Sequence, residues 1–176
     1  ERSVWVKGYV HIYTGNGKGK TTAAMGLALR ALGAGLRVGI VQFAKPEGTS
    51  ESKALAVFGD RVVSRSRGLP GFVRGEPAEE ERQAAAAALE EARAMLVDPN
   101  LDLVVLDEIC VVIHLRLLRC NQVIEAIAAR REGVEVVLTG RRAPQELLAI
   151  ADLVTEMKEI KHYFDKGVGA RVGIEQ

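Results

Sequence analysis

The stretch Gly15-Asn16-Gly17-Lys18-Gly19-Lys20-Thr21-Thr22 decides the fold. The run before it, Tyr9-Val10-His11-Ile12-Tyr13, is rich in β-branched and aromatic residues and reads as a buried strand. The run after it, Ala23 to Leu32, is dominated by helix formers. The glycines therefore stand at a strand-to-helix turn, where a phosphate-binding loop belongs. Glycines let the backbone turn tightly and aim several N–H groups inward, and a helix starting near Lys20 adds its positive end. Lys20 supplies a mobile charge, expected to face solvent, and Thr21 a hydroxyl able to bind a metal. The pattern G-x-x-x-x-G-K-[ST] asks for a glycine five residues before Gly19, where this chain has Thr14; Gly15 comes one residue late, so the loop is a variant. The alternative is a plain glycine-rich turn carrying a surface lysine, which Gly-Lys-Thr at this junction disfavours.

Outward from the loop, strand and helix signals alternate. Val38 to Phe43 reads as a second buried strand, running out through Ala44-Lys45. Ser50 is the expected cap of a short helix to about Phe58, and Arg61 to Ser66 a short strand. Residues 67–77 hold glycines and prolines that forbid a regular element. Pro77 to Leu96 is the longest helix, with Glu79, Glu80 and Glu81 at its positive end and a run, Ala84 to Ala88, expected to bury little. Leu101 to Leu106 is an apolar strand ending in Asp107-Glu108, followed by a helix from Ile109 to Leu118 and another, capped by Asn121, to Arg131. Glu135 to Thr139, Pro144 to Ala151 and Leu153 to Met157 read as strand, helix and strand, ahead of an irregular tail. This alternation predicts an α/β fold with a mostly parallel sheet covered by helices on both faces, the P-loop NTPase (RecA-like) class. The chain is expected to be one domain, 1–176. Ligands in such sheets sit at the strands' C-terminal ends, so the loops after Tyr13, Phe43, Leu106 and Thr139 should converge there.

That edge supplies the remaining candidates. A carboxylate from Asp107-Glu108 could reach a metal on bound phosphates, or the pair could be a solvated strand end. Arg141 or Arg142 could reach a polyphosphate or be surface charge. Phe72, in the irregular stretch, is either a plug into the core or a ligand contact. Cys110 and His114 lie four apart and could share a helix face, but a metal would need further ligands. The totals exclude other classes. A net charge of +1 argues against a nucleic-acid or membrane partner, and no apolar run reaches transmembrane length. Two cysteines form no disulfide framework and fit a reducing cytoplasm. The start, Glu1-Arg2-Ser3-Val4-Trp5, has no signal-peptide pattern and no initiator Met, so an upstream segment is expected to be missing.

Thr14 to Thr22, Val41-Gln42-Phe43, Leu106-Asp107-Glu108, Leu138-Thr139-Gly140-Arg141, Lys161-His162 and the closing Gly173-Ile174-Glu175 together resemble the P-loop ATP:corrinoid adenosyltransferases, in the same order and over nearly the whole chain. The resemblance implies transfer of the 5′-deoxyadenosyl group of ATP to the Co(I) centre of a reduced corrinoid such as cob(I)alamin, with release of triphosphate. It implies that Gly15, Asn16, Gly17, Lys18, Gly19, Lys20, Thr21, Thr22 and Arg141 hold the nucleotide. Thr21 with Asp107 or Glu108 would hold Mg²⁺, for which Mn²⁺ could substitute. Phe72 would crowd the lower axial ligand off cobalt. A homodimer supplied with electrons by a flavoprotein reductant is also implied. There are departures. The family's Gly-Phe-Thr-Trp is Gly71-Phe72-Val73-Arg74 here, and its Gly-Arg-Gly is Gly140-Arg141-Arg142. The competing readings are a P-loop phosphotransferase or ATPase, which attacks the γ-phosphorus, and a nucleotide-dependent switch or motor.

Overall fold

The computed structural model describes residues 7–45, 48–68 and 75–175. Six strands form one sheet: β1 (Val10–Thr14), β2 (Val38–Gln42), β3 (Val62–Ser66), β4 (Leu103–Asp107), β5 (Glu135–Thr139) and β6 (Leu153–Glu156). Their order is β3-β2-β4-β5-β1-β6, and every pairing is parallel. Parallel neighbours need crossovers, and among the described residues six α-helices lie between the strands: α1 (Lys20–Gly33), α2 (Ser50–Leu55), α3 (Glu79–Val97), α4 (Ile109–His114), α5 (Cys120–Ala128) and α6 (Gln145–Ile150). The phosphate-loop strand β1 and the acid-bearing strand β4 are not neighbours; β5 runs between them.

Side-chain alternation along the strands divides the core into two layers. Ile12, Val104, Leu106, Val136 and Leu138 pack with Leu89 and Leu96 of α3 and Val123 and Ile127 of α5. Val38, Ile40, Leu103, Val105 and Val137 point the other way, onto Ala24, Ala28 and Leu32 of α1. Strands β2, β4 and β5 are covered on both sides, which is why they read as continuous apolar runs. Edge strand β6 is exposed along its whole length.

Several local expectations are corrected. Within the alanine run Ala85 and Ala88 are buried, with Ala92 one turn on, so one face of it seats on the sheet while Ala86 and Ala87 stay exposed. Helix α2 is capped by Thr49, whose Oγ1 accepts the Ser52 N–H at 3.3 Å, instead of by Ser50. Helix α5 begins two residues earlier than an Asn121 cap would allow, with Arg119 at the cap, and Gln122 Oε1 accepts the Arg119 N–H at 3.0 Å. Helix α4 stops at His114, short of Leu118. Arg116 takes a left-handed φ of 58°, and the Leu117 N–H bonds to Val112 O while the Arg116 N–H bonds to Ile113 O. That pair of bonds is a Schellman closure, made without the glycine that would have announced it.

Candidate active site

Thr14 is the last residue of β1, and its hydroxyl accepts the Ala143 N–H at 3.3 Å. The loop leaves the strand only at Gly15, which is the physical reason the glycine comes one position late. Gly15 has φ 98°, and a Cβ there would stand 2.5 Å from Met157 O. A Cβ on Gly17 would meet the same oxygen at 2.7 Å, and the Gly17 N–H donates to it at 2.7 Å. The loop thus lies directly against the chain leaving β6, and side chains at 15 and 17 are sterically barred. Gly19, at φ 117°, opens α1 and accepts the Ala23 N–H at 2.7 Å. Lys20 is only 8% exposed, not solvent-facing: its Nζ folds back onto Gly17 O at 2.7 Å. Lys18 Nζ reaches Ile174 O in the tail at 2.7 Å. Asn16 is exposed at the start of the loop.

Asp107 is wholly buried at the end of β4. Its Oδ1 accepts hydroxyl protons from Thr21 at 2.8 Å and Thr139 at 2.7 Å; its Oδ2 accepts from the Gln42 amide at 3.2 Å and from Lys45 Nζ at 3.0 Å. A buried carboxylate is tolerated when its lone pairs are filled and a cation is near, and both conditions hold. Gln42 is itself fully buried, and its Oε1 takes the hydroxyls of Thr49, Ser52 and Ser66. Glu108 follows with a left-handed φ of 64°, its N–H donating to Thr139 Oγ1 at 2.9 Å. That turn directs Glu108 into the cleft while Asp107 stays below it. After β5, a Cβ on Gly140 would come 2.8 Å from Cys110 Cβ, so only glycine allows this approach to α4. The two following arginines then part. Arg141 lines the cleft; Arg142 bonds His114 Nε2 at 2.7 Å.

The cleft is about 440 Å³, lined by the loop from Gly17 to Thr22 together with Lys45, Glu108, Arg141, His162 and the tail at Ile174 and Glu175. Burial first, then the Arg141 guanidinium, pushes the Lys20 ammonium below its ordinary value, against the pull of Glu108, Asp107 and Glu159. Burial first, then the Asp107 carboxylate, pushes Glu108 up, against Lys45, Lys20 and Arg141. A bound polyphosphate relieves the first effect, because its charge stabilises the ammonium.

The structure brings Gly17, Lys18, Gly19, Lys20, Thr21, Thr22, Glu108 and Arg141 to one cleft, with Asp107 beneath. Phe72 and Arg74 lie outside the described residues. Cys110 is fully buried, and His114 is exposed and bonded to Arg142, so they build no shared site. Among the described residues no three His, Cys, Asp or Glu side chains converge as a metal cage. The oxygen donors Thr21, Asp107 and Glu108 suit a hard cation that takes its remaining ligands from phosphate and water, as Mg²⁺ does. Sequence reasoning missed Lys45 and Thr139. Thr139 ends β5 and Lys45 lies three residues past the end of β2, so the edge rule marks their region but not which of its side chains meet Asp107.

The strand–loop–helix with its Gly-Lys-Thr, facing a buried acidic strand end across an all-parallel sheet, defines a P-loop nucleotide-binding protein. The flagellar accessory protein FlaH from Methanocaldococcus jannaschii shares the fold, with a TM-score of 0.56 and 13% identity over 85% of this chain and 71% of that one. The family model described as ATP:corrinoid adenosyltransferase BtuR/CobO/CobP matches residues 6–176. The corrinoid adenosyltransferase CobA of Salmonella typhimurium is 40% identical over 96% of this chain and 86% of its own length. Those of Escherichia coli and Pseudomonas aeruginosa are each 37% identical over 96% of this chain, covering 86% and 84% of their own lengths. The chain belongs to the ATP:corrinoid adenosyltransferase family.

Proposed function

We propose that this chain is a single adenosyltransferase domain that moves the 5′-deoxyadenosyl group of ATP onto the Co(I) of a reduced corrinoid. The Co(I) electron pair forms the Co–C5′ bond, the C5′–O bond breaks, and its electron pair leaves with the triphosphate. Displacement at carbon by so strong a nucleophile needs no side-chain nucleophile and no general base. The protein's tasks are positioning and neutralising the leaving group. The loop N–H groups, Lys18, Lys20 and Arg141 hold the triphosphate, and the burial of Lys20 makes its charge count for more than it would in water. Thr21 and Glu108 would hold Mg²⁺, and Asp107 orients the Thr21 hydroxyl. Bound there, the cation would supply charge neutralisation to the phosphates. Phe72 contacts the corrinoid and keeps the lower ligand off cobalt.

The observation that carries this reading is the late-glycine phosphate loop, seated on Met157, in a chain that the family model matches over residues 6–176. A flavoprotein supplies the electron that makes Co(I), and the enzyme works in the cytoplasm, consistent with its free cysteines. It is a homodimer, a state supported by the exposed apolar residues Leu153 and Val154 on edge strand β6. The test is the bond that breaks. After one anaerobic turnover with ATP and reduced cob(I)alamin, ³¹P NMR should show inorganic triphosphate alongside adenosylated corrinoid. ADP and phosphate formed at a comparable rate without corrinoid would make the protein an ATPase instead.

A further inference from the structure

Lys45 is the cation that neutralises the acidic strand end. Its Nζ stands 3.0 Å from Asp107 Oδ2 and 3.0 Å from Thr21 Oγ1. Those two oxygens belong to the residues the proposed function gives to the divalent cation, one as a direct ligand and one as its support. The Thr21 proton is committed to Asp107 Oδ1, so Lys45 occupies a lone pair on the Thr21 oxygen. A divalent cation bound to that oxygen would stand one atom away from the ammonium, with no solvent between two positive charges. The two occupants are therefore in competition. Lys45 is also able to leave. Its side chain is 26% exposed, and it lines the same cleft as Lys18, Lys20 and Arg141, so a triphosphate held by those residues would lie within the compass of a flexible stem.

We infer that Lys45 is an exchangeable stand-in for the divalent cation: it holds Thr21 and Asp107 until metal and nucleotide arrive together, then moves onto the phosphates. This rests on the metal assignment made above. The exchange keeps a positive charge against the buried Asp107 at every stage, so the site never carries an uncompensated carboxylate. It also makes the enzyme reluctant to load metal alone, because the ammonium must be displaced with no phosphate to receive it. Lys45 is thus a binding residue whose partner changes during loading.

The test is Mn²⁺ binding to the full chain, read from the excess Mn²⁺ retained on the protein side in equilibrium dialysis, with and without ATP in both compartments. Without nucleotide, Lys45→Met should bind Mn²⁺ about tenfold more tightly than wild type. Lys18→Met removes the same charge from the same cleft but touches neither oxygen, and should change affinity less than about twofold. With ATP present the advantage of Lys45→Met should fall to less than about threefold, because the wild-type ammonium has then moved. Should Lys45→Met not fold by circular dichroism, Lys45→Gln, which can still donate to Asp107, carries the same comparison. Equal Mn²⁺ affinity in Lys45→Met and wild type, or an equal gain in Lys18→Met, would overturn the inference. Thr21→Val separates the two levels. If it abolishes Mn²⁺ binding in the presence of ATP while Lys45→Met behaves as wild type, only the exchange is wrong. If it leaves Mn²⁺ binding unchanged, the metal assignment falls and the exchange with it.

Discussion

Thr139→Val tests the buried network under the cleft. The substitution keeps the shape of the side chain and the β-branching that suits β5, and removes only the hydroxyl. Two bonds go with it: the 2.7 Å donation to Asp107 Oδ1 and the 2.9 Å acceptance from the Glu108 N–H. Thr139 and Asp107 are both fully buried, so solvent does not replace either. A hydrogen bond to a charged group contributes about 1.5–3 kcal/mol, and a buried donor left unpaired costs about 1–3 kcal/mol. A loss of about 3–5 kcal/mol follows, or a fall in melting temperature of roughly 6–20 °C for a chain of this size. Thr139→Ser supplies the internal control: it keeps both bonds and loses only a buried methyl, worth about 1 kcal/mol. Urea denaturation of the three proteins should therefore rank wild type above Ser and Ser above Val, although Val fills the space better. If Val equals or exceeds Ser, the hydroxyl bonds are not what holds Asp107, and the description of the network is wrong.

Lys20→Ala should lower adenosylation at least about 10²-fold, since one pre-organised charge on the leaving group is removed; turnover near normal in a folded Lys20→Ala protein would refute the phosphate-loop assignment. In the tail, the Glu175 carboxylate accepts from Tyr163 Oη and from the Arg171 side chain and N–H, and this clasp has its own pH window. Hydrogen bonds from Arg171, and after it Tyr163, pull Glu175 down to about 2. A carboxylate depressed in the folded protein stabilises at pH values above its unfolded pKa, and that contribution fades as pH falls toward 2. The side-chain carboxyl ¹³C resonance of Glu175, followed by NMR on lowering the pH, should therefore hold its ionised position down to about pH 4 and move only below it. Cys110, pushed up to about 12 chiefly by burial, should resist iodoacetamide at pH 8 by at least 100-fold relative to the urea-unfolded chain; ready native labelling, located by mass spectrometry, would contradict its burial.

The parts of the fold legible in the sequence were those set by local rules. β5 runs from Glu135 to Thr139 as its apolar run predicts, and α1 begins at Lys20 as the Gly-Lys-Thr turn requires. Caps were less legible, because Thr49 and Ser50 are equally good candidates and only the direction of the entering chain chooses between them. The α4 stop depends on Arg116 adopting a left-handed φ, which propensity alone does not favour in an arginine. In the candidate site, the loop and the acidic pair could be read because their spacing is contiguous. Lys45 and Thr139 could not, because their meaning comes from standing beside Asp107, and that adjacency is created by the strand order β2-β4-β5. The expectation of an exposed Lys20 failed for a related reason: its 2.7 Å bond to Gly17 O is a feature of the folded loop, invisible in a linear motif.

The seating of the phosphate loop on Met157 bears on what the motif is. A nine-residue phosphate loop that carried its own shape could be moved as a cassette. Here the carbonyl of Met157 serves as a mould, and Gly15 and Gly17 are the residues that fit it. The mould belongs to the chain leaving the outermost strand, more than a hundred residues downstream. Grafting Thr14–Thr22 alone onto another α/β scaffold would transplant the glycines without the surface that explains them, and the freed loop would spend its conformational entropy on many shapes. A faithful graft would have to carry β1, β6 and the residue after β6 as one piece, which makes the heritable unit of this site a pair of neighbouring strands.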